Sequence, residues 1–202
     1  ALTLDPAMAS LHSGLAKVFL EKGDVAQAAE ELGKALAKDA NDPEILSHQL
    51  FCLNYLPNLP ASDMLPIARR YGDVVRAGVT AFDSWQCSPD PARKLRAGLV
   101  SGDLRRHPVG YLLRGPLREI ARAEFELFAY SNFPQEDDLS AELRQHFSAW
   151  TVVNERSDAE LARQIHDDRI DILLDLSGHT AFSRLAVFAR RPAPVQASWL
   201  GY

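Results

Sequence analysis

Residues 101–111 read SGDLRRHPVGY and residues 177–185 read SGHTAFSRL, and each stretch sets a histidine in a loop directly after an apolar run. Imidazole ordinarily titrates near neutrality, so His107 could be a general base, a phosphate-facing donor or a plain surface residue, and His179 stands in a comparable loop. In the second stretch, Gly178 permits close backbone approach and Thr180 could cap a following helix. The N–H groups at that helix start would favour a phosphate or a sugar hydroxyl; a plain strand-to-helix turn with a threonine cap accounts for the same residues. Arg105 and Arg106 could attract a diphosphate, although solvated arginines are the simpler placement. Asp167, Asp168 and Asp171 could be bases or metal ligands, with solvated turn chemistry again the simpler role. No HExxH, Walker loop, GxSxG or paired-acid motif occurs, so no metal is indicated.

The elements around these loops explain why the two histidines stand out. LRAGLVS, FELFAYS, AWTVVN, IDILLDL and PVQASWLG are short apolar or β-rich runs. Helical stretches near 110–122, 138–147, 158–168 and 181–190 separate them. Alternation of this kind predicts βαβ crossovers and a mostly parallel sheet covered on both faces. Ligands of such sheets bind beyond the carboxyl ends of the strands. His107 follows the first strand and His179 the fourth, whereas His12, His48, His146 and His166 fall inside predicted helices.

Before this half, apolar and small residues recur at helical spacing in two bursts between residues 9 and 40, punctuated by Gly23 and Asp24. The pattern predicts a helical hairpin. Leu15, Ala16, Phe19, Gly23, Ala28, Leu32 and Ala35 are similar in register to the 34-residue tetratricopeptide repeat. Ala1, Leu2 and Asp5 recur 34 positions later as Ala35, Leu36 and Asp39. DPEILSHQLFCLNYL reads as a modified closing helix, and a further helical pattern runs from Ala61 to Phe82. SWQCSPDPARK reads as a connection. The expected organisation is repeat and closing helices over 1–83, a linker over 84–94, and a Rossmann-like α/β domain over 95–202.

The 202 residues carry 22 Lys and Arg against 27 Asp and Glu, a net charge of −5, which argues against nucleic acid or anionic lipid as a partner. Two cysteines, without CxxC spacing, make neither a disulfide framework nor a zinc site. No signal-peptide pattern or membrane-length apolar run occurs, and a cytoplasmic protein is expected.

SGDLRRHPVGYLLRGPL together with HDDRIDILLDLSGHTAFSRLAVFARRPAPVQASWLGY resembles the O-linked N-acetylglucosamine transferase family, particularly its bacterial members. These couple tetratricopeptide repeats to a two-lobed GT-B glycosyltransferase. The resemblance implies inverting transfer of N-acetylglucosamine from UDP-N-acetylglucosamine to serine or threonine hydroxyls of proteins, with no cofactor and no essential metal. It implies that His107, of the family's His-Pro pair with Pro108, lies at the active site as base or substrate-positioning group. Gly178, His179 and Thr180 match the loop that approaches the donor. Protein acceptors would be engaged through the repeats, and uridine diphosphate would be gripped by a C-terminal lobe missing from this sequence. The sequence is therefore expected to be a fragment, inactive alone. Two rival expectations are a repeat-based adaptor whose α/β domain only binds proteins, and a transferase of the same fold with a different acceptor.

Overall fold

The computed structural model describes residues 8–120 and 125–201 of the chain. The earlier halves of the 34-residue echo, at Ala1, Leu2 and Asp5, lie outside the described residues, as do positions 121 and 122 of the expected fifth helix. The chain divides into two compact units, Ala1–Gly78 and Val79–Tyr202.

The first unit is helical: α1 (Ala9–Glu21), α2 (Val25–Lys38), α3 (Pro43–Leu53) and α4 (Ala61–Ala77). The turn between α1 and α2 falls at Gly23 and Asp24, as the spacing predicts, and the Asp24 carboxylate caps α2 by accepting the Gln27 N–H. Ala16, Ala28, Leu32 and Ala35 are fully buried together with Ile45 and Cys52 of α3. Small residues at the crossing let the paired helices approach closely. A polar seam joins the same helices, where His12 Nδ1 lies 2.6 Å from Glu31 and Ser13 Oγ 3.2 Å from His48 Nδ1. The helix expected to reach Phe82 ends at Ala77, with Gly78 as its C-cap.

The second unit is a five-stranded, all-parallel sheet of order β3-β2-β1-β4-β5. Its strands are β1 (Leu95–Ser101), β2 (Phe125–Ser131), β3 (Ala149–Val152), β4 (Ile172–Asp175) and β5 (Val195–Ser198). Its helices are α5 (Pro108–Ile120), α6 (Asp138–Arg144), α7 (Asp158–Asp167) and α8 (Leu185–Ala189). One core packs Leu113 and Leu117 of α5 and Leu139 and Leu143 of α6 against Leu99 and Leu127. The other packs Leu161 and Ile165 of α7 and Val187 of α8 against Val100, Tyr130 and Leu173. Each sheet face is thus an apolar surface buried by the crossovers, which is why the strands read as nearly continuous apolar runs. His146 falls in the turn after α6 rather than in a helix, since α6 closes at Arg144.

Two departures from expectation have one cause, side-chain pairing across long sequence separations. The linker expected at 84–94 lies along the second unit. The Phe82 ring stacks on His166 of α7 at 4.2 Å, the Ser84 carbonyl meets His166 Nε2 at 3.0 Å, and Trp85 Nε1 donates to the Arg191 carbonyl. Asp171, expected in solvent, is 6% exposed. It accepts 2.6 Å bonds from both Nη atoms of Arg93 and a 2.8 Å bond from the Arg96 N–H. Asp168 is likewise engaged, accepting from the Tyr130 hydroxyl at 2.8 Å, and Asp167 alone of the three is exposed.

Burial raises the Asp171 carboxyl, but the bonds from Arg93, the Arg96 amide and Cys87 outweigh it and hold the group below the usual aspartate range. A carboxyl depressed by folding stabilises the fold above its unfolded value, near 3.9, and loses that contribution as pH falls through its lower folded value. Asp171→Asn is therefore expected to lower the melting temperature at pH 7. In calorimetry over pH 2 to 7 the gap from the native chain should narrow below about pH 4; a gap independent of pH would contradict the assignment.

Candidate active site

The connections of the sheet reverse direction between β1 and β4. From β1 the chain moves outward through β2 to β3, then crosses back to β4 on the other side and continues to β5. Loops leaving the carboxyl ends of β1 and β4 consequently part to opposite faces, and the gap between them is the ligand crevice of a parallel sheet. His107 ends the first of these loops, with Pro108 opening the helix that follows, and Gly178, His179 and Thr180 belong to the second. The two loops are joined where the Gly102 N–H meets Ser177 Oγ at 3.4 Å.

His107 stands immediately before α5, with Pro108 as the first helical residue, a position where the missing N–H of proline costs nothing. The His107 carbonyl accepts the Tyr111 N–H, and Nδ1 of its ring accepts the Val109 N–H at 3.3 Å. Behind the ring lies Asp103, four residues earlier and buried, with Oδ1 at 3.7 Å from Nδ1. Burial pushes the Asp103 carboxyl above its usual range, against the opposing pull of His107 and Arg105. The loop can lie this close to α5 because residue 110 is glycine. A Cβ there would overlap the Arg105 carbonyl oxygen.

Sequence inspection passes over Asp103. The available signal was an acid four residues before a histidine, but nothing in the residue string shows that the acid is buried. The two neighbouring arginines have structural partners. Arg106 pairs with Asp138 at 2.5 and 2.6 Å, and its amide donates to Asp137, tying the loop to α6. Arg105 lies 4.1 Å above the Phe133 ring, donates to the Gly102 carbonyl, and sits 3.5 Å from Asp103.

The second loop is fixed by Asp175 at the end of β4. Its carboxylate accepts the Ser177 N–H at 3.1 Å, the Gly178 N–H at 3.0 Å and the Ser198 hydroxyl at 2.9 Å. Gly178 takes a positive φ of 55°, which a glycine adopts without strain. The expectation that Thr180 caps a helix is not met, because α8 begins five residues later with Arg184 as its N-cap. Thr180 instead closes the turn on itself, its hydroxyl and its N–H both donating to the Ser177 carbonyl at 2.7 and 3.1 Å. His179 is half-buried, and burial holds its imidazole below the ordinary histidine range against the opposing effect of Asp175. Among the described residues, no group of three or more His, Cys, Asp or Glu side chains is placed to hold a metal ion. Nor is any helix long and apolar enough to cross a membrane.

Comparison with known proteins agrees with this architecture. Residues 1–48 match the tetratricopeptide repeat, and residues 73–202 match glycosyl transferase family 41. A Petunia hybrida protein named as a probable UDP-N-acetylglucosamine–peptide N-acetylglucosaminyltransferase, SPINDLY, is 32% identical over 160 residues, which are 77% of this chain and 17% of the relative. The Arabidopsis thaliana protein of the same probable activity named SEC is 32% identical over 114 residues, 54% of this chain and 11% of the relative. The solved structure of a mutant O-GlcNAc transferase from Thermobaculum terrenum superposes with a TM-score of 0.90 at 37% identity, covering 98% of this chain and 38% of that one. The chain thus spans less than two fifths of the relatives it matches, and over the span that they share, it belongs to glycosyl transferase family 41.

Proposed function

We propose that this chain is part of an inverting transferase that moves N-acetylglucosamine from UDP-N-acetylglucosamine to serine or threonine hydroxyls of proteins, with His107 as the group that handles the acceptor proton. The observation that carries the proposal is an imidazole backed by a buried carboxylate, His107 with Asp103, at the switch-point crevice of a family 41 chain. The activities for which the relatives are named support the donor and the peptide acceptor. The repeat unit is the part of the chain suited to engaging a protein acceptor.

In the proposed reaction the acceptor oxygen bonds to the anomeric carbon as the bond from that carbon to the diphosphate oxygen breaks. The electron pair of the breaking bond leaves with the diphosphate, and the hydroxyl proton passes to Nε2 of His107. Asp103 faces the opposite nitrogen and stabilises the imidazolium that results. Charge on the departing diphosphate must be neutralised by donors aimed at it. Arg105 and Arg106 are occupied by loop and helix contacts, so we assign that task to a second lobe outside these 202 residues. On this division of labour the 202-residue chain alone binds donor weakly and does not turn over, and no metal is called upon.

Two measurements test the proposal. With labelled UDP-N-acetylglucosamine and the full-length protein, His107→Ala is expected to reduce transfer by about 10²- to 10⁴-fold, and unimpaired turnover would remove His107 from the mechanism. The His179 ring, whose pKa burial lowers against the opposing effect of Asp175, should titrate below the ordinary value near 6.5 in an NMR experiment on this chain. Because folding depresses its pKa, the fold keeps the full contribution of His179 above that value and loses it as pH falls through the folded pKa. Titration at or above 6.5 would contradict the placement.

A further inference from the structure

Phe182 has a φ of +61°, the left-handed region that a side chain of its size adopts only under strain. Among the described residues, four other non-glycine residues share that sign, and each has an evident reason. Arg169 and Arg191 directly follow the C-caps of α7 and α8, where a left-handed residue ends a helix, and Asn58 is of a type that tolerates the region. Leu200 packs its side chain against the apolar core. Phe182 stands at no helix end, and its side chain is not taken into a core: the residue is 46% exposed.

The surroundings hold it there. Asn132 Nδ2 donates to the Phe182 carbonyl at 2.9 Å. Two residues on, Arg184 is anchored by Asp158, by Asn132 Oδ1 and by the carbonyls of Val153 and Arg156. Opposite, Gly102 leaves the space, since a Cβ at that position would lie 2.5 Å from the Phe182 Cβ. Gly102 directly follows β1 and Phe182 lies three residues beyond His179, so the ring stands at the rim of the crevice between the two histidine loops. Phe133 meets it edge-on at 5.1 Å, and Arg105 covers Phe133. Backbone strain held in place by its surroundings concentrates at ligand clamps and active sites.

We propose that Phe182, supported by Phe133, is the platform on which the acceptor polypeptide lays an apolar side chain flanking the modified hydroxyl; this rests on the transferase reading above. The chemistry of the rim favours the acceptor over the donor. Around the ring are a second aromatic ring, a glycine, an arginine that stacks on that second ring with its Nε bonded to the Gly102 carbonyl, and Asn132, whose amide is taken up by the Phe182 carbonyl and Arg184. Such a surface offers apolar area to a side chain and few hydrogen-bonding groups to a hydroxyl-rich sugar or a diphosphate.

The test compares the full-length protein with Phe182→Asn, Phe182→Leu and Phe182→Tyr, using two peptides that carry either leucine or glycine beside the acceptor serine. Asparagine accepts the left-handed conformation, so Phe182→Asn is expected to keep the melting temperature within about 2 °C of native. The same variant should raise KM for the leucine peptide about tenfold while leaving kcat, donor KM and the glycine peptide within twofold. Phe182→Tyr should behave as native and Phe182→Leu as impaired; this pair retains bulk and decides the matter should the asparagine variant not fold. An unchanged leucine-peptide KM in both Phe182→Asn and Phe182→Leu overturns the proposal, as does a rise in donor KM instead. If the native protein transfers no sugar to either peptide, the transferase reading itself has failed, a result separate from failure of the variants to discriminate.

Discussion

At the end of β4 the carboxylate of Asp175, 1% exposed, accepts two backbone N–H groups of the loop that follows and a hydroxyl of β5. A buried carboxylate is tolerated only when its oxygens are satisfied, so the three bonds leave the chain little freedom in where Ser177, Gly178 and Ser198 can be. The Asp175 carbonyl adds a fourth tie by accepting the Trp199 N–H. Everything placed by the β4 loop inherits this constraint. Ser177 Oγ reaches Gly102 on the other side of the crevice, His179 sits one residue past the fixed turn, and Phe182 arrives against Gly102. The topological reversal opens a gap between β1 and β4, and Asp175 gives one wall of that gap a defined shape.

β4 carries a similar device at its start. Asp171 joins the strand to Arg93 and to the amide of Arg96, just before and within β1. β4 is therefore tied to β1 by Asp171 at its start and to β5 by Asp175 at its end, with apolar contacts along its length. In the sequence this segment is IDILLDL, and its apolar middle is what marks it as a buried strand. The two aspartates look like ordinary punctuation. Their pairing depends on residues tens of positions away, and no local pattern carries that information.

The same distinction separates what could be read from the sequence from what could not. Strand and helix positions follow from periodicity and breakers, which are local. The fold class and the placement of His107 and His179 beyond strand ends follow in turn, because an alternating βα chain has few ways to close. The docking of residues 82–87 depends on Phe82 finding His166 and Trp85 finding the Arg191 carbonyl. Asp103 escaped notice for the same reason, and so did the strain at Phe182, since a backbone dihedral imposed by Asn132 and Arg184 has no signature in the residue itself. Thr180 shows the converse error: a residue type common at helix caps is equally able to close a turn, and here the turn wins.

Two groups compete for Nδ1 of His107, and the competition bears on how the ring acts. Accepting the Val109 N–H requires a lone pair on Nδ1, which places the proton of a neutral ring on Nε2 and makes that nitrogen a donor. Facing Asp103 favours a proton on Nδ1, which leaves Nε2 free to accept one. At 3.3 Å the amide contact is long for a hydrogen bond, so it binds the lone pair weakly. Asp103 lies farther off, at 3.7 Å, and acts on Nδ1 through its charge rather than through a hydrogen bond, a charge that burial makes costly and that Arg105 at 3.5 Å offsets only in part. In the proposed reaction a hydroxyl presented to Nε2 would favour the tautomer with the ring's proton on the Asp103 side, and the imidazolium formed would join Arg105 as a second cation beside the buried carboxylate.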